Sequence, residues 1–160
     1  MRNKQKGFSL IELLIVVAII LIIAAIAIPN LLRSRMAANE ASCVASLRTI
    51  NTSEVVFSST YTIGFAAALK DLSDPGGLCP AAAPTATNAC LIDNSLASGT
   101  KSGYNFTYAV TAANGVNGTY SVSGKPVALG STGQRGFFTD QTNVIRGDIS
   151  GTATVASNPI

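Results

Sequence analysis

The feature that most constrains this chain is a run of 21 residues, positions 8–28, in which Glu12 is the one charged residue. From position 13 to position 28 every residue is Leu, Ile, Val or Ala. A helix of this length is about 30 Å long, which matches the hydrocarbon core of a bilayer. The run is therefore predicted to form a membrane helix.

Glu12 is an unfavourable residue in such a helix. On membrane-insertion scales an acidic residue near the centre of a span costs about 2.5 to 3.5 kcal/mol, and less towards its end. A cationic partner in the same apolar layer would offset this cost. A polar residue tolerated at the membrane interface of a simple anchor is the alternative interpretation.

The residues that flank the run have a specific spacing. A short basic leader ends in Gly7, Phe8 follows it, Glu12 is the fifth residue after Gly7, and Pro29 is the twenty-second. This segment resembles the prepilin N-terminus of type IV pilins and type II secretion pseudopilins. The motif covers about 25 of the 160 residues, and the rest of the chain resembles pilin heads only loosely.

The resemblance implies a processing and assembly pathway. In that family an inner-membrane peptidase cuts after the Gly and methylates the new N-terminal Phe, which corresponds here to cleavage after Gly7 and methylation of Phe8. The family's Glu pairs with the N-terminal ammonium of a neighbouring subunit, which gives Glu12 a role in assembly. Pro29 lies where the family's helix can lose order inside filaments.

The α-amine created at Phe8 is also a cation by elementary chemistry. It lies four residues from Glu12, so the two groups are able to neutralise each other within one helix. Between two staggered helices the same pair would fix the axial register of the subunits.

Charge gives little indication of other partners. The net charge is +3, but Arg2, Lys4 and Lys6 belong to the leader, and removing them from the eleven basic residues leaves eight against eight acidic ones. A formally neutral mature chain gives no electrostatic reason to expect nucleic-acid binding. The leader charges are expected to keep the N-terminus cytoplasmic, so that the C-terminal bulk is translocated.

The composition disfavours catalysis. The chain has no His and no Trp, which removes most nucleophile–base pairs and the commonest metal ligand. The acidic residues outside the membrane run are scattered. We therefore expect no enzyme activity, no cofactor and no metal.

Three cysteines fit an oxidising compartment. Cys79 and Cys90 bracket a loop rich in Pro, Ala and Thr, and they are the candidate disulfide. Cys43 falls on the apolar face of a helix, where a buried free thiol is expected. An exchanged pairing that involves Cys43 remains open.

The rest of the chain predicts an α+β fold. Residues 30–61 continue the helix as an amphipathic half, whose apolar face is Leu32, Met36, Cys43, Leu47, Ile50, Phe57 and Tyr61. Five polar residues are predicted to lie largely off that face: Arg33, Arg35, Asn39, Arg48 and Asn51. From Tyr104 onward apolar residues alternate with polar ones, which predicts four short antiparallel strands, with a weak edge strand at 126–129. The long helix is expected to pack across this small sheet.

The predicted organisation has three parts. They are a prepilin leader at 1–7, a hydrophobic helix at 8–29 and a pilin head at 30–160. The head comprises the amphipathic helix (30–61), a loop region (62–103), the sheet (104–149) and a loosely held polar tail (150–160).

The expected function is that of a structural subunit in a homo-oligomeric type IV pilus filament. The resemblance implies a prepilin peptidase and an assembly platform as partners, and an inner-membrane precursor with a periplasmic head that becomes an extracellular pilus. A type II secretion pseudopilin is the nearest alternative. No acidic loop resembles the calcium site of major pseudopilins, but no Cys follows Cys90, unlike many pilins with a C-terminal Cys pair. A periplasmic protein, either membrane-anchored or secreted, is a further alternative.

Overall fold

The computed structural model describes residues 8–74, 79, 83–113 and 115–160. The predicted leader, and Gly7 with it, lies outside the described residues. The chain forms two compact units, one ending at Arg35 and the other covering Met36–Ile160. Helix α1, Leu10–Tyr61, contributes residues to both units.

The predicted α+β fold is confirmed in the second unit, where α1 residues pack against an antiparallel sheet. The sheet has six strands in chain order. They are β1 (Thr100–Lys101), β2 (Tyr104–Ala113), β3 (Val116–Pro126), β4 (Gly136–Asp140), β5 (Arg146–Asp148) and β6 (Asn158–Pro159). A 3₁₀ turn, Leu69–Leu72, and a short helix α2, Asn94–Ala97, precede the sheet.

The hydrophobic core lies between α1 and one face of the sheet. From α1 it takes Cys43, Leu47, Ile50 and Phe57, all of which are fully buried. The period-two pattern of the strands supplies the opposite side, because alternate residues of a strand point to the same face. The buried strand residues are Tyr104, Phe106, Tyr120, Val122 and Phe137.

Two residues of α1 differ from the predicted amphipathic pattern. Leu32, predicted on the apolar face, is half exposed and lies in the first unit. Asn51, predicted largely off that face, is buried. Its Nδ2 donates to Thr139 Oγ1 at 2.9 Å, and its Oδ1 accepts from Tyr120 Oη at 3.0 Å. Polar partners on the sheet therefore satisfy an amide that hydropathy alone would place in solvent.

The prediction of a loosely held tail at 150–160 is wrong. Asn158 pairs with Gly147, the Ile160 amide donates to the Ile145 carbonyl at 3.0 Å, and Ala153 is buried. A strand of two residues is too short to show any period, so backbone pairing holds this segment without a sequence signal.

The predicted edge strand at 126–129 is also wrong. Pro126 ends β3, and Ala128 is followed by a turn in which the Thr132 amide donates to the Ala128 carbonyl at 2.9 Å. The edges of the sheet are instead β1 and β6, each only two residues long. Lys101 lies on one edge and Pro159 on the other.

Candidate assembly segment

The first unit presents apolar side chains on every side of its helix. Every Phe, Leu, Ile and Val between Phe8 and Leu32 is exposed, with fractions from 46% to 81%. Among the described residues one helix is long and apolar enough to cross a membrane, by length and composition. A helix that is apolar all round requires apolar surroundings all round, because no face of it favours water.

Glu12 lies in the first turn of α1, and the fold gives it a local partner. Its Oε2 accepts a hydrogen bond from the Ser9 backbone amide at 2.9 Å. A carboxylate is favourable here because the N-terminus of a helix carries partial positive charge. The other carboxylate oxygen, Oε1, has no hydrogen bond within the described part of the chain. Phe8 lies directly before this turn and is 81% exposed.

Pro29 does not end the helix. It lies inside α1, which continues to Tyr61. A proline ring has no backbone N–H, so the carbonyl of Ala25 lacks its normal partner one turn later. Pro29 therefore marks a site of weaker helix bonding, and its role in assembly stays a prediction.

Arg33 and Arg35 follow the apolar run and are exposed. Within the described ranges, ion pairs join only Lys101 to Asp93 and Arg135 to Glu40, at 2.8 and 2.9 Å. The two arginines are thus available to polar groups at the end of the apolar layer, as the prediction of interfacial anchoring requires.

Comparison with known proteins agrees with this geometry. Residues 2–28 match the family model described as the prokaryotic N-terminal methylation motif. The chain is 62% identical over 47 residues to the type IV wide pilus major component PilA4 of Thermus thermophilus, a match that covers 29% of this chain and 35% of the relative. The N-terminal segment of this chain is thus similar to that of a type IV pilus component.

A second relative is also a type IV pilin. The type IV major pilin protein PilA of Myxococcus xanthus is 43% identical over 54 residues, which is 34% of this chain and 24% of that protein. The chain thus spans about a third or less of the length of these two pilins. No solved structure matches the chain significantly.

In the second unit, Glu40 holds the loop before β4 against α1. Its Oε1 accepts from the backbone amides of Gln134 and Arg135 at 2.9 and 3.1 Å, and its Oε2 accepts from Arg135 Nε at 2.9 Å. Partial burial alone would raise the pKa of Glu40, but these hydrogen bonds and the guanidinium charge hold it below its ordinary value.

The three cysteines of the second unit have distinct surroundings. Cys79 and Cys90 form a disulfide, with their Cα atoms 6.2 Å apart. The chain beside Cys90 is tied to the 3₁₀ turn, since the Leu91 amide donates to the Leu72 carbonyl at 2.7 Å. Cys43 is a buried free thiol, and burial raises its pKa to about 12. A Cβ at Gly124 would lie 2.6 Å from the Cys43 sulfur, so the glycine makes room for it.

Replacing Cys90 with Ser should destabilise the second unit by about 3 kcal/mol, because the disulfide closes a loop across a sequence separation of 11. Urea unfolding of the full chain in detergent micelles, with and without reductant, measures the change. Wild type with reductant should match Cys90→Ser, and reductant should not affect the variant. Equal stability of oxidised and reduced wild type would contradict this prediction.

The residue that sequence analysis missed is Glu54. It lies on the buried face of α1 between Ile50 and Phe57 and is fully buried. The signal was present in the sequence, since position 54 continues the spacing of three and four residues along the apolar face. An acidic residue on such a face requires dedicated partners.

Proposed function

We propose that this chain is a structural subunit of a type IV pilus filament, processed after Gly7, methylated at Phe8 and polymerised through α1. The observation that carries the proposal is the exposed apolar segment that begins at Phe8 and continues into α1, directly after the predicted leader and within the matched motif at residues 2–28. The named relatives are both pilus components.

The exposed helix explains why such a subunit polymerises. Full burial of one large aliphatic side chain stabilises by about 1.5 to 3 kcal/mol. A subunit that exposed this segment to water would lose that stabilisation for each of its large aliphatic side chains. The precursor therefore resides in the inner membrane with its head in the periplasm. On assembly, the helix leaves lipid for a bundle of identical helices, and the head becomes part of an extracellular filament.

Glu12 fixes the axial register between neighbouring helices in this bundle. Packing of Leu, Ile and Val side chains is non-directional, so a bundle held by it alone would allow neighbours to slide. The free Oε1 of Glu12 is placed to accept from the ammonium of Phe8 on a neighbouring subunit. In an apolar layer this attraction is much stronger than in water, and leaving either charge unpaired is costly.

The proposal also assigns partners and domain roles. A prepilin peptidase removes residues 1–7, and an assembly platform inserts the mature subunit into the filament. Residues 8–29 form the filament core, and residues 30–160 form the head. A pseudopilin would carry the same processing segment by family resemblance. The pilus assignment is preferred because the named relatives are pilus components.

The decisive test of this proposal is a measurement of the intact mass and N-terminal sequence of the mature protein. We expect a chain that begins with N-methylated Phe8. A chain that begins near Ile28 would show that the helix is a discarded signal peptide. An intact Met1, in a host that has the peptidase, would indicate a plain membrane anchor. Either of the last two results would overturn the proposal.

A further inference from the structure

The segment that follows α1, residues 63–66, is held against the sheet at two points. We call it the exit segment. At the first point the Phe65 amide donates to the Asn117 carbonyl at 3.0 Å, and the Asn117 amide donates to the Ile63 carbonyl at 3.1 Å. The side chain of Asn117 adds a bond from Nδ2 to the Phe65 carbonyl at 2.7 Å. This first point contains no titratable group.

The second point is built around Glu54. The Ala66 amide donates to Glu54 Oε2 at 3.0 Å. The hydroxyl oxygen of Tyr108, on β2, lies 2.7 Å from Glu54 Oε1 and 2.8 Å from the Ala66 carbonyl oxygen. Glu54 and Ala66 are fully buried. This second point therefore joins α1, the exit segment and the sheet away from water.

Tyr108 Oη makes two short oxygen–oxygen contacts, one to Glu54 Oε1 and one to the Ala66 carbonyl oxygen, and its single proton cannot serve as the donor in both. If Glu54 is ionised, Glu54 Oε1 and the Ala66 carbonyl are both acceptors, and the single proton of Tyr108 can make a good bond to only one of them. If Glu54 is neutral, its own O–H donates to Tyr108 Oη, and Tyr108 donates to the Ala66 carbonyl. Each short contact then contains one proton.

The groups that face Glu54 agree with the neutral form. They are Tyr108 on β2, Tyr120 on β3, stacked on Tyr108 at 6.1 Å between ring centroids, and Asp71 in the 3₁₀ turn. No lysine or arginine among the described residues forms an ion pair with Glu54. Burial raises the pKa of Glu54 above its ordinary value, the bonds from Ala66 and Tyr108 oppose this, and the charge of Asp71 raises it further.

We propose that Glu54 is a neutral carboxylic acid in the folded head, and that its deprotonation removes the hydrogen bond from Tyr108 to the Ala66 carbonyl and so weakens the attachment of the exit segment. The ionised form leaves one short oxygen–oxygen contact without a proton and places a charge in the core. Tyr108 then donates to Glu54 Oε1 and no longer to the Ala66 carbonyl, so the attachment of the Ala66 end is weakened, while the Asn117 end is unchanged.

The sign of the pH dependence follows from linkage. In the unfolded chain Glu54 loses its proton near its ordinary pKa of about 4.3. The folded head retains that proton to higher pH. Stability from this site is therefore fully present below about pH 4 and is lost as pH rises through the raised pKa of Glu54.

Glu54→Gln provides the test. The Gln carbonyl accepts from the Ala66 amide, and its NH₂ group donates to Tyr108, so the bonding of the neutral acid is reproduced without a titrating proton. The experiment measures the thermal midpoint of the full chain in detergent micelles from about pH 5 to about pH 9, a range below the ordinary pKa values of Tyr and Lys. The wild-type midpoint should fall as pH rises, relative to that of Glu54→Gln.

Glu40→Gln is the matched control on the same helix. The pKa of Glu40 is lowered, so its contribution is lost as pH falls, and this variant should keep the alkaline loss seen in wild type. Hydrogen exchange at the Ala66 amide should accelerate with pH in wild type beyond the intrinsic rate, and not in Glu54→Gln. An identical pH dependence of wild type and Glu54→Gln would overturn the proposal.

Infrared spectroscopy of wild type tests the protonation state without relying on a variant that folds. The carbonyl stretch of a protonated carboxylic acid should be present at about pH 5, above the ordinary pKa of Glu, and should disappear as pH rises through the raised pKa of Glu54. Absence of that band in folded wild type would overturn the proposal, whatever the behaviour of Glu54→Gln.

Discussion

Glu12→Ala is expected to leave membrane insertion intact and to prevent normal filament assembly. Insertion should persist because the substitution removes the one charge in an otherwise apolar run. Assembly should fail because each subunit loses the group proposed to pair with the Phe8 ammonium. A hydrogen bond to a charged group contributes about 1.5 to 3 kcal/mol, so each added subunit should bind about 10- to 160-fold more weakly.

Membrane fractionation and electron microscopy of surface filaments measure the two parts of this result. Glu12→Gln isolates the charge, because it retains the size and a hydrogen-bonding oxygen, and it should also impair assembly. Ser9→Ala is the control, since its backbone amide still donates to residue 12, and it should assemble normally. Normal filaments from Glu12→Ala would remove the assembly role of this carboxylate.

Phe137→Ala should cause a large loss of head stability, about 3 to 5 kcal/mol. Phe137 is fully buried on β4, with its ring centroid 5.9 Å from that of Tyr104. The Arg135 guanidinium lies 5.5 Å from the same ring. Truncation would leave a cavity in the centre of the helix–sheet core, and close-packed surroundings collapse only in part to fill it.

The adjacent Phe138 offers a matched control, because successive residues of a strand point to opposite faces. Phe138 is only partly buried, so Phe138→Ala should cost about 1 kcal/mol. Urea unfolding of both variants, with the full chain in detergent micelles, gives the comparison. Equal losses for the two substitutions would show that the core does not lie on the Phe137 face.

The parts of the fold that sequence predicted are those with a long, regular signal. The apolar run before Pro29 and the spacing of Cys43, Leu47 and Ile50 both reflect helix geometry repeated over several turns. The alternation that begins at Tyr104 persists long enough to identify β2. For the assembly segment, Gly7, Phe8 and Glu12 were predicted from a fixed spacing, which needs no knowledge of tertiary contacts, and their roles stay predictions.

What sequence did not predict depends on contacts between distant positions. The edge strand β6 is too short for any pattern and exists because Asn158 pairs with Gly147. Asn51 and Glu54 are polar residues whose burial is possible only because Thr139, Tyr120 and Tyr108 meet them from the sheet. Such partners lie more than 50 positions away, where local periodicity carries no information.

The short outer strands have a consequence for a filament of many copies. Neighbouring heads would be held at very high local concentration, and an open strand edge is a template on which another chain can add. Here the free edges are two residues long. The Lys101 charge on one edge and the missing N–H of Pro159 on the other oppose continued pairing. In the proposed filament the sheet would therefore resist cross-β aggregation between adjacent heads, and polymerisation would be directed by the helices.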